Sequence, residues 1–521
     1  MNSFASNSLF TAAAGLATVF ASFVSGVIVA NLLGVHGAGM VAFAIWIAAM
    51  LAPIIDGGTA LSVGRFPAEL RGQDNNAAAH ALPAVLARRL LLYHVLGVTA
   101  LAAFYSTGTD APLVSQDLSG HDFTAGIPLI VIVVVAALTS LQSFALFGTA
   151  HLRSSHRFHT LATLACVSMV AQIGAVYGGA HFYGVAGALA GYTAGQVCLA
   201  AATLSVIWRS GNVSPSLTSE VWRYGRFSWA ANVCNTFVWS RIEILFLQVF
   251  WSYREVGWFS VALALSGLAS QGPLLLTGAF LPMLARKHGQ DDRAGLQSAF
   301  TKGTRLLATL ALPTCLGMAA VVPSLVTLLY GPEFEPAAPA AMVIVTAAAF
   351  TITTVIGSHL VNALGRSDFI FFSSLSGALL SAIFGFLLIP VFGLVGAAIS
   401  RAIVQLAMVA VGLWFITTRL GFSFPFGAFL RILLAALAAA GAAFVTIGAI
   451  GHLPGLFAAI AVAIFTYVLC LRLFGAAHAD DIALARRLSA PLPKPIARMA
   501  DIVLSFIHPG STRPLIITTT R

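Results

Sequence analysis

The chain has 521 residues, of which 59% are hydrophobic and only 8% charged, with a formal net charge of +10. A soluble domain carries about 25% charged residues, and no fold of this length in water can hide so much apolar surface. That composition argues against a soluble enzyme or a nucleic-acid-binding protein and makes lipid the expected solvent.

A hydrocarbon core about 30 Å thick takes roughly 20 apolar residues to cross as helix. Such runs predict helices over 9–33, 39–62, 84–106, 125–150, 161–182, 184–208, 227–250, 257–281, 303–329, 338–364, 370–390, 393–417, 428–450 and 455–475. Each run is far longer than a barrel strand. Short turns at Gly34–Gly39 and Pro390–Gly393 separate neighbours. The fold class expected is therefore an all-α polytopic membrane protein of about 14 transmembrane helices. The segment Met1–Ser8 has neither a basic region nor a cleavage site, so no removable signal peptide is expected. Beyond Ala476 the chain is less apolar. Asp480 and Asp481 are placed to cap a short helix through Arg487, three prolines (491, 493, 495) break it, and 496–507 reads as an interfacial helix.

The basic residues set the orientation. With the N-terminus in the cytoplasm, the loops after even-numbered helices and the tail hold 24 of the 27 basic residues, which is all but Arg254, Arg241 and Arg401. The opposite loops carry Asp110, Asp117, Asp122, Glu333 and Glu335. The net positive charge is thus a topology signal, and both termini are expected on the cytoplasmic side of a bacterial inner membrane.

An internal repeat is visible. Tyr183–Ala188 resembles Phe392–Ala397, Arg153-Ser154 resembles Arg366-Ser367, and Gly39–Ala42 resembles Gly257–Ser260. The offsets of 209, 213 and 218 predict two six-helix lobes, 1–209 and 210–425, related as parallel repeats. Residues 426–475 are then an appended helix pair, and 476–521 a cytoplasmic tail.

Asn31–Leu70 contains an LLG-x-x-G-x-G turn, Asp56-Gly57-Gly58, and an RF-x-AEL ending at Arg65–Leu70. Ser240–Leu247 reads SRIEILFL, Leu329–Pro336 reads LYGPEFEP, Ala363–Asp368 reads ALGRSD, and Ile389–Ser400 reads IPVFGLVGAAIS. In this order the motifs resemble the polysaccharide-biosynthesis flippases of the multidrug/oligosaccharidyl-lipid/polysaccharide exporter superfamily, across most of residues 30–420. The resemblance implies two lobes around a central cavity, alternating access, and undecaprenyl-pyrophosphate-linked oligosaccharide as cargo. It also implies membrane lipid around the protein, and a polysaccharide polymerase and chain-length or export proteins as partners, with surface polysaccharide (exopolysaccharide, capsule or O-antigen) as product.

Such a cargo needs a polar, cationic path, because charge and unpaired hydroxyls are costly in hydrocarbon. Arg241 is the leading phosphate ligand, since guanidinium binds phosphate oxygens bidentately. Arg401 and Arg65 are further candidates, the first competing with snorkelling and the second with a membrane anchor. Asn235 and Gln271 are candidates for sugar hydroxyls. Asp56 and Glu243 are candidates for coupling or ion pairing; Asp56 also reads as a cap. Arg241 and Glu243, two residues apart, do not share a helix face, so they are not expected to pair within the helix. His151, His156 and His159 read as a solvated loop rather than a metal site. The five cysteines (166, 198, 234, 315, 470) sit singly in apolar runs, with no CxxC pair. No cofactor or catalytic signature is found, so the expectation is a transporter and not an enzyme. The alternatives are a multidrug and toxic compound exporter, which should have an acidic cavity, and a glycan polymerase or ligase, which commonly needs a larger outer loop than 107–124.

Overall fold

A computed structural model of the chain describes residues 2–106, 129–209, 213–239, 241–450 and 452–476, with 486, 501 and 504–506 of the tail. The loop 107–124, the caps Asp480 and Asp481, and most of the helix expected over 496–507 lie outside the described residues.

Among the described residues every regular element is helical. Among these described residues, ten helices are long and apolar enough to cross a bilayer. Three of them, α1 (Asn2–Asp56), α5 (Phe158–Ile207) and α13 (Ser367–Trp414), reverse at Gly34, Gly184 and Gly393 and carry two passes each. An interrupted pass, α6 (Pro215–Trp239) followed by α7 (Glu243–Phe250), completes the fourteen expected. The remaining elements are α2 (Thr59–Gly72), α3 (Asn76–Ser106), α4 (Leu129–Ser154), α8 (Tyr253–Leu275), α9 (Phe280–Gly289), α10 (Arg293–Tyr330), α11 (Ala337–Thr353), α12 (Val355–Ala363), α14 (Phe426–Ile450) and α15 (His452–Leu473).

The reversals use glycine twice over. At Gly184 the left-handed φ of 59° costs glycine nothing. Beside the turn, Gly179 and Gly187 lie backbone to backbone, so a Cβ on either would strike the other's carbonyl. Small residues at such crossings let helices in lipid approach closely, where dispersion is the main attraction.

Several passes are less regular than their sequence implied. The pass expected over 39–62 breaks at Gly57-Gly58 and resumes as α2. The one expected over 257–281 passes through a 3-10 turn, Leu276–Ala279, into α9. The pass over 338–364 is divided between α11 and α12 at Thr354. Apolar length sets where a pass lies; local hydrogen bonding sets where it breaks.

Repeated turns recur in the backbone. Asp74 (φ 59°) ends the turn after α2 and Asp291 (φ 54°) the turn after α9, with the same three backbone hydrogen bonds, 217 residues apart. His156 (φ 55°) before α5 matches Gly365 (φ 68°) before α13, 209 apart, the spacing of Gly184 and Gly393. Arg366 is therefore the counterpart of Arg157, which shares its N-cap position and torsions, and not of Arg153, one helical turn away. The sequence match chose the wrong arginine because Arg-Ser is a weaker constraint than a left-handed turn.

The chain forms two compact units, the first of Met1–Ala264, Leu329–Ala337 and Ser374–Arg401, the second of Leu265–Leu328, Ala338–Ser373 and Ala402–Arg521. In the first, α2 to α6 share a core around Phe66, Leu82, Leu90, Phe147 and Val221. In the second, α14 and α15 pack on α10 and α11 through Ile432, Ala435, Leu471, Leu312 and Val345. Tyr467 donates to the Thr309 carbonyl at 2.7 Å across that packing.

Candidate functional site

The first unit contains the interrupted pass. Arg241 separates α6 from α7 with φ 61°, a left-handed torsion that costs a non-glycine residue about 1–2 kcal/mol. The helix restarts through short-range bonds, Ile244 N to Arg241 O and Leu245 N to Ile242 O, both 3.0 Å. Glu243 then occupies the first turn of α7, where the helix dipole favours an anion.

Glu243 is buried, and its described ion-pair partner is Arg401, whose Nη1 lies 3.4 Å from both carboxylate oxygens. These contacts are longer than a tight charge-assisted bond of about 2.8 Å. Arg401 Nε, Ser400 Oγ and Gln248 Oε1, on the same two helices, are buried without a hydrogen-bond partner among the described residues. Arg241 keeps exposed surface at the break between α6 and α7. The charges acting on it are Arg401 and Glu243. Among the described residues, one carboxylate stands near two guanidinium groups, which leaves an excess of positive charge.

Asp56 is arranged quite differently. Its carboxylate accepts hydrogen bonds from Thr59 Oγ1 (2.7 Å), Ala60 N (3.1 Å) and Gly58 N (3.1 Å). It therefore caps α2, and it is 6% exposed. The Trp229 indole donates to the Pro53 and Ile54 carbonyls at 3.1 and 2.9 Å, satisfying groups that the break frees. Arg65 is not the partner of Asp56. Its Nε lies 3.2 Å from Glu69 Oε2, and its guanidinium sits 4.6 Å from the Tyr224 ring.

Asn235 lies in α6, but its side chain falls outside the described residues. Gln271 is half-buried in α8, in the second unit. His151 is buried in α4 rather than solvated. Among the described residues no three His, Cys, Asp or Glu side chains gather as metal ligands.

A clasp at one end of the first unit was not foreseen. Gly39 packs on the Tyr253 carbonyl and Gly257 on the Val35 carbonyl, each excluding a Cβ on the other's side. Around them Asn31 Nδ2 donates to Leu329 O (2.8 Å), Trp258 Nε1 to Glu333 O (2.9 Å) and Trp251 Nε1 to Ile389 O (2.7 Å). Leu394 N donates to Glu255 Oε2 at 3.0 Å. Four turns are stitched together by these bonds. The resemblance of Gly39 and Gly257 was visible in the sequence; that the two repeats touch there was not.

A family model described as polysaccharide biosynthesis protein matches residues 125–339. An uncharacterized membrane protein of Methanocaldococcus jannaschii is 31% identical over 112 residues, which is 22% of this chain and 22% of that protein. Among solved structures, the lipid II flippase MurJ in an inward closed conformation is similar at TM-score 0.70 and 14% identity, over 89% of this chain and 98% of that one. An inward-facing multidrug resistance transporter of the MATE family, in the MOP superfamily, gives 0.60 and 14% over 78% and 94%. A MOP superfamily transporter from Pyrococcus furiosus, described as having a binding pocket of reverse polarity, gives 0.55 and 14% over 80% and 95%. The chain thus has the fold of these membrane transporters, and the family model agrees with the resemblance carried by its motifs.

Proposed function

We propose that this multi-pass membrane protein is a flippase that carries a lipid-linked oligosaccharide from the cytoplasmic to the outer leaflet of the bacterial inner membrane. The observation that carries this reading is Arg241, an exposed guanidinium at a helix break inside a membrane pass. A bare cation facing lipid is costly, so it faces a wet path. A pyrophosphate entering that path meets the unbalanced positive charge of Arg241. It then competes with Glu243 for Arg401, whose 3.4 Å pair is loose enough to exchange. The polyprenyl tail stays in lipid.

The clasp at Gly39 and Gly257 is the closed outer end in this reading, and two six-helix halves rock about it, with both termini in the cytoplasm. The appended helices and tail follow. Undecaprenyl pyrophosphate is the carrier, and surface-polysaccharide polymerase and export proteins are the downstream partners. A head with two negative charges leaving a negative interior gains roughly 4–5 kcal/mol per 100 mV, so the membrane potential drives outward movement.

Proteoliposomes carrying a fluorescent undecaprenyl-pyrophosphate glycan test this. Arg241→Ala should stop flipping while the protein still inserts, and Arg241→Lys should restore only part, because bidentate geometry is lost. A wild-type rate in Arg241→Ala refutes Arg241 as a ligand, and an unchanged rate and final distribution on collapsing the potential refutes electrical driving. The second reading, a multidrug exporter, is favoured by the MATE-like fold. It needs a carboxylate free to hold cations, whereas Glu243 is engaged by Arg401.

A further inference from the structure

In the first unit, arginines of two helices meet at one aromatic side chain of α6, and an arginine of a third helix meets another. Arg89 of α3 and Arg226 of α6 both address the Trp222 ring, at 5.2 and 5.9 Å from its centroid. Arg65 of α2 lies 4.6 Å from the Tyr224 ring and 5.2 Å from Phe66. The arrangement is built in. Gly58 and Gly225 meet backbone to backbone, a crossing that any Cβ on Gly58 would push apart. The Trp229 indole pins α6 to the carbonyls of Pro53 and Ile54. Val221 is buried in the core shared with α2 and α3, which turns Trp222 outward, 40% exposed.

The charge there is not balanced from within. Arg65 has Glu69 at its Nε and a hydrogen bond with Tyr224, so the imbalance lies at the other two arginines. Among the described residues no carboxylate lies within ion-pair distance of Arg89 or Arg226. Two guanidinium groups that address one indole without a carboxylate beside them favour an anion there. Positive-inside anchoring alone asks for arginines near the headgroups. It does not ask for two helices to deliver them to one ring. Planar donor forks beside a half-exposed aromatic side chain match a phosphate carried on an apolar chain.

We propose that Arg89 and Arg226, gathered on the Trp222 ring, form a receiving site for the phosphate of a lipid headgroup. The orientation argued above puts this site in the cytoplasmic leaflet, and only that leaflet assignment rests on the proposed function. The phosphate comes either from bulk anionic phospholipid or from a polyprenyl pyrophosphate awaiting transport.

The full chain in nanodiscs of uncharged phosphatidylcholine tests the site without any transport step. Three probes are titrated: phosphatidylglycerol, undecaprenyl pyrophosphate and free inorganic pyrophosphate. At least one of the lipids should bind the R89Q/R226Q double variant roughly tenfold or more weakly than wild type. R89K/R226K should lose less, and Arg254→Gln, a cation–aromatic pair at the clasp end, should lose nothing. Preference for undecaprenyl pyrophosphate over phosphatidylglycerol identifies the cargo carrier; equal binding identifies bulk lipid. Equal affinity of both lipids for wild type and R89Q/R226Q overturns the proposal, as does binding of inorganic pyrophosphate alone. Should R89Q/R226Q fail to fold, phenylglyoxal labelling of wild type decides: bound lipid phosphate should protect Arg89 and Arg226 and leave Arg254 reactive. Unchanged labelling of Arg89 and Arg226 also overturns it. Normal flipping with failed lipid binding removes this site alone, and normal binding with failed flipping leaves it standing.

Discussion

Two interruptions of membrane helices in the same unit have opposite character. At Asp56–Gly58 the left-handed torsions fall on Gly57 and Gly58, the carboxylate takes three donors, and Trp229 takes the freed carbonyls. At Arg241 the left-handed torsion falls on an arginine, and the neighbouring carboxylate is engaged by Arg401. The first break is saturated and holds helices in place. The second stores strain and leaves a charge to offer. An ionisable residue at membrane depth is therefore informative only together with the state of its hydrogen bonds, since a satisfied one is a cap and an unsatisfied one invites a ligand.

This contrast can be broken experimentally. The largest expected effect on stability is at Glu243. Glu243→Gln leaves two guanidinium groups facing one another without a carboxylate, and should lower stability by about 2–3 kcal/mol, somewhat less than for a fully buried pair. Thermal unfolding in detergent measures it, and an unchanged Tm would mean that the Arg401 pair contributes nothing. Asp56→Ala should cost about 1–2 kcal/mol by removing a helix cap, with flipping per folded molecule near wild type. Loss of flipping in a normally folded Asp56→Ala protein would move Asp56 from the capping role to a coupling one. Arg241→Gly should go the other way, raising stability by about 1 kcal/mol through relief of the left-handed torsion, while flipping is lost. A less stable Arg241→Gly protein would show that the break is not strained.

The smallest effect lies outside the membrane passes. The Lys287 ammonium, 2.9 Å away, and the Gly295 amide hold the Asp292 carboxyl below its ordinary range. A carboxyl depressed in the folded state stabilises above its unfolded value and loses that contribution as pH falls through the folded one. A slight drop in Tm of wild type below about pH 4, absent in Asp292→Asn, is expected. Because the group is exposed, the difference is at the edge of detection by calorimetry.

The helix order was legible in the sequence because each pass must supply its own apolar length, and length is local. The motif containing Asp56 was legible as well, but its role was left open between coupling, pairing with Arg65 and capping. The donors that satisfy it include the neighbouring Gly58, Thr59 and Ala60, while the indole at Trp229 comes from 175 and 176 residues away. Arg241 and Glu243 were read as residues of one helix, which the break at Arg241 divides, and nothing local named Arg401 as the partner of Glu243, 158 residues on. The clasp was half visible, since Gly39 and Gly257 resembled one another without any sign that they touch.

What the sequence settled by itself was the solvent, the number of passes and the glycine reversals, because hydrocarbon forces every span to be long, apolar and internally hydrogen-bonded. What the tertiary structure decided was which charges are neutralised. Arg401 is paired, Asp56 caps α2, and Arg89 and Arg226 share an indole with no described carboxylate in ion-pair reach. Electrostatic balance depends on which helix faces meet, and in a bundle of many similar apolar helices that choice is made by packing between distant segments rather than by any residue's neighbours in the chain.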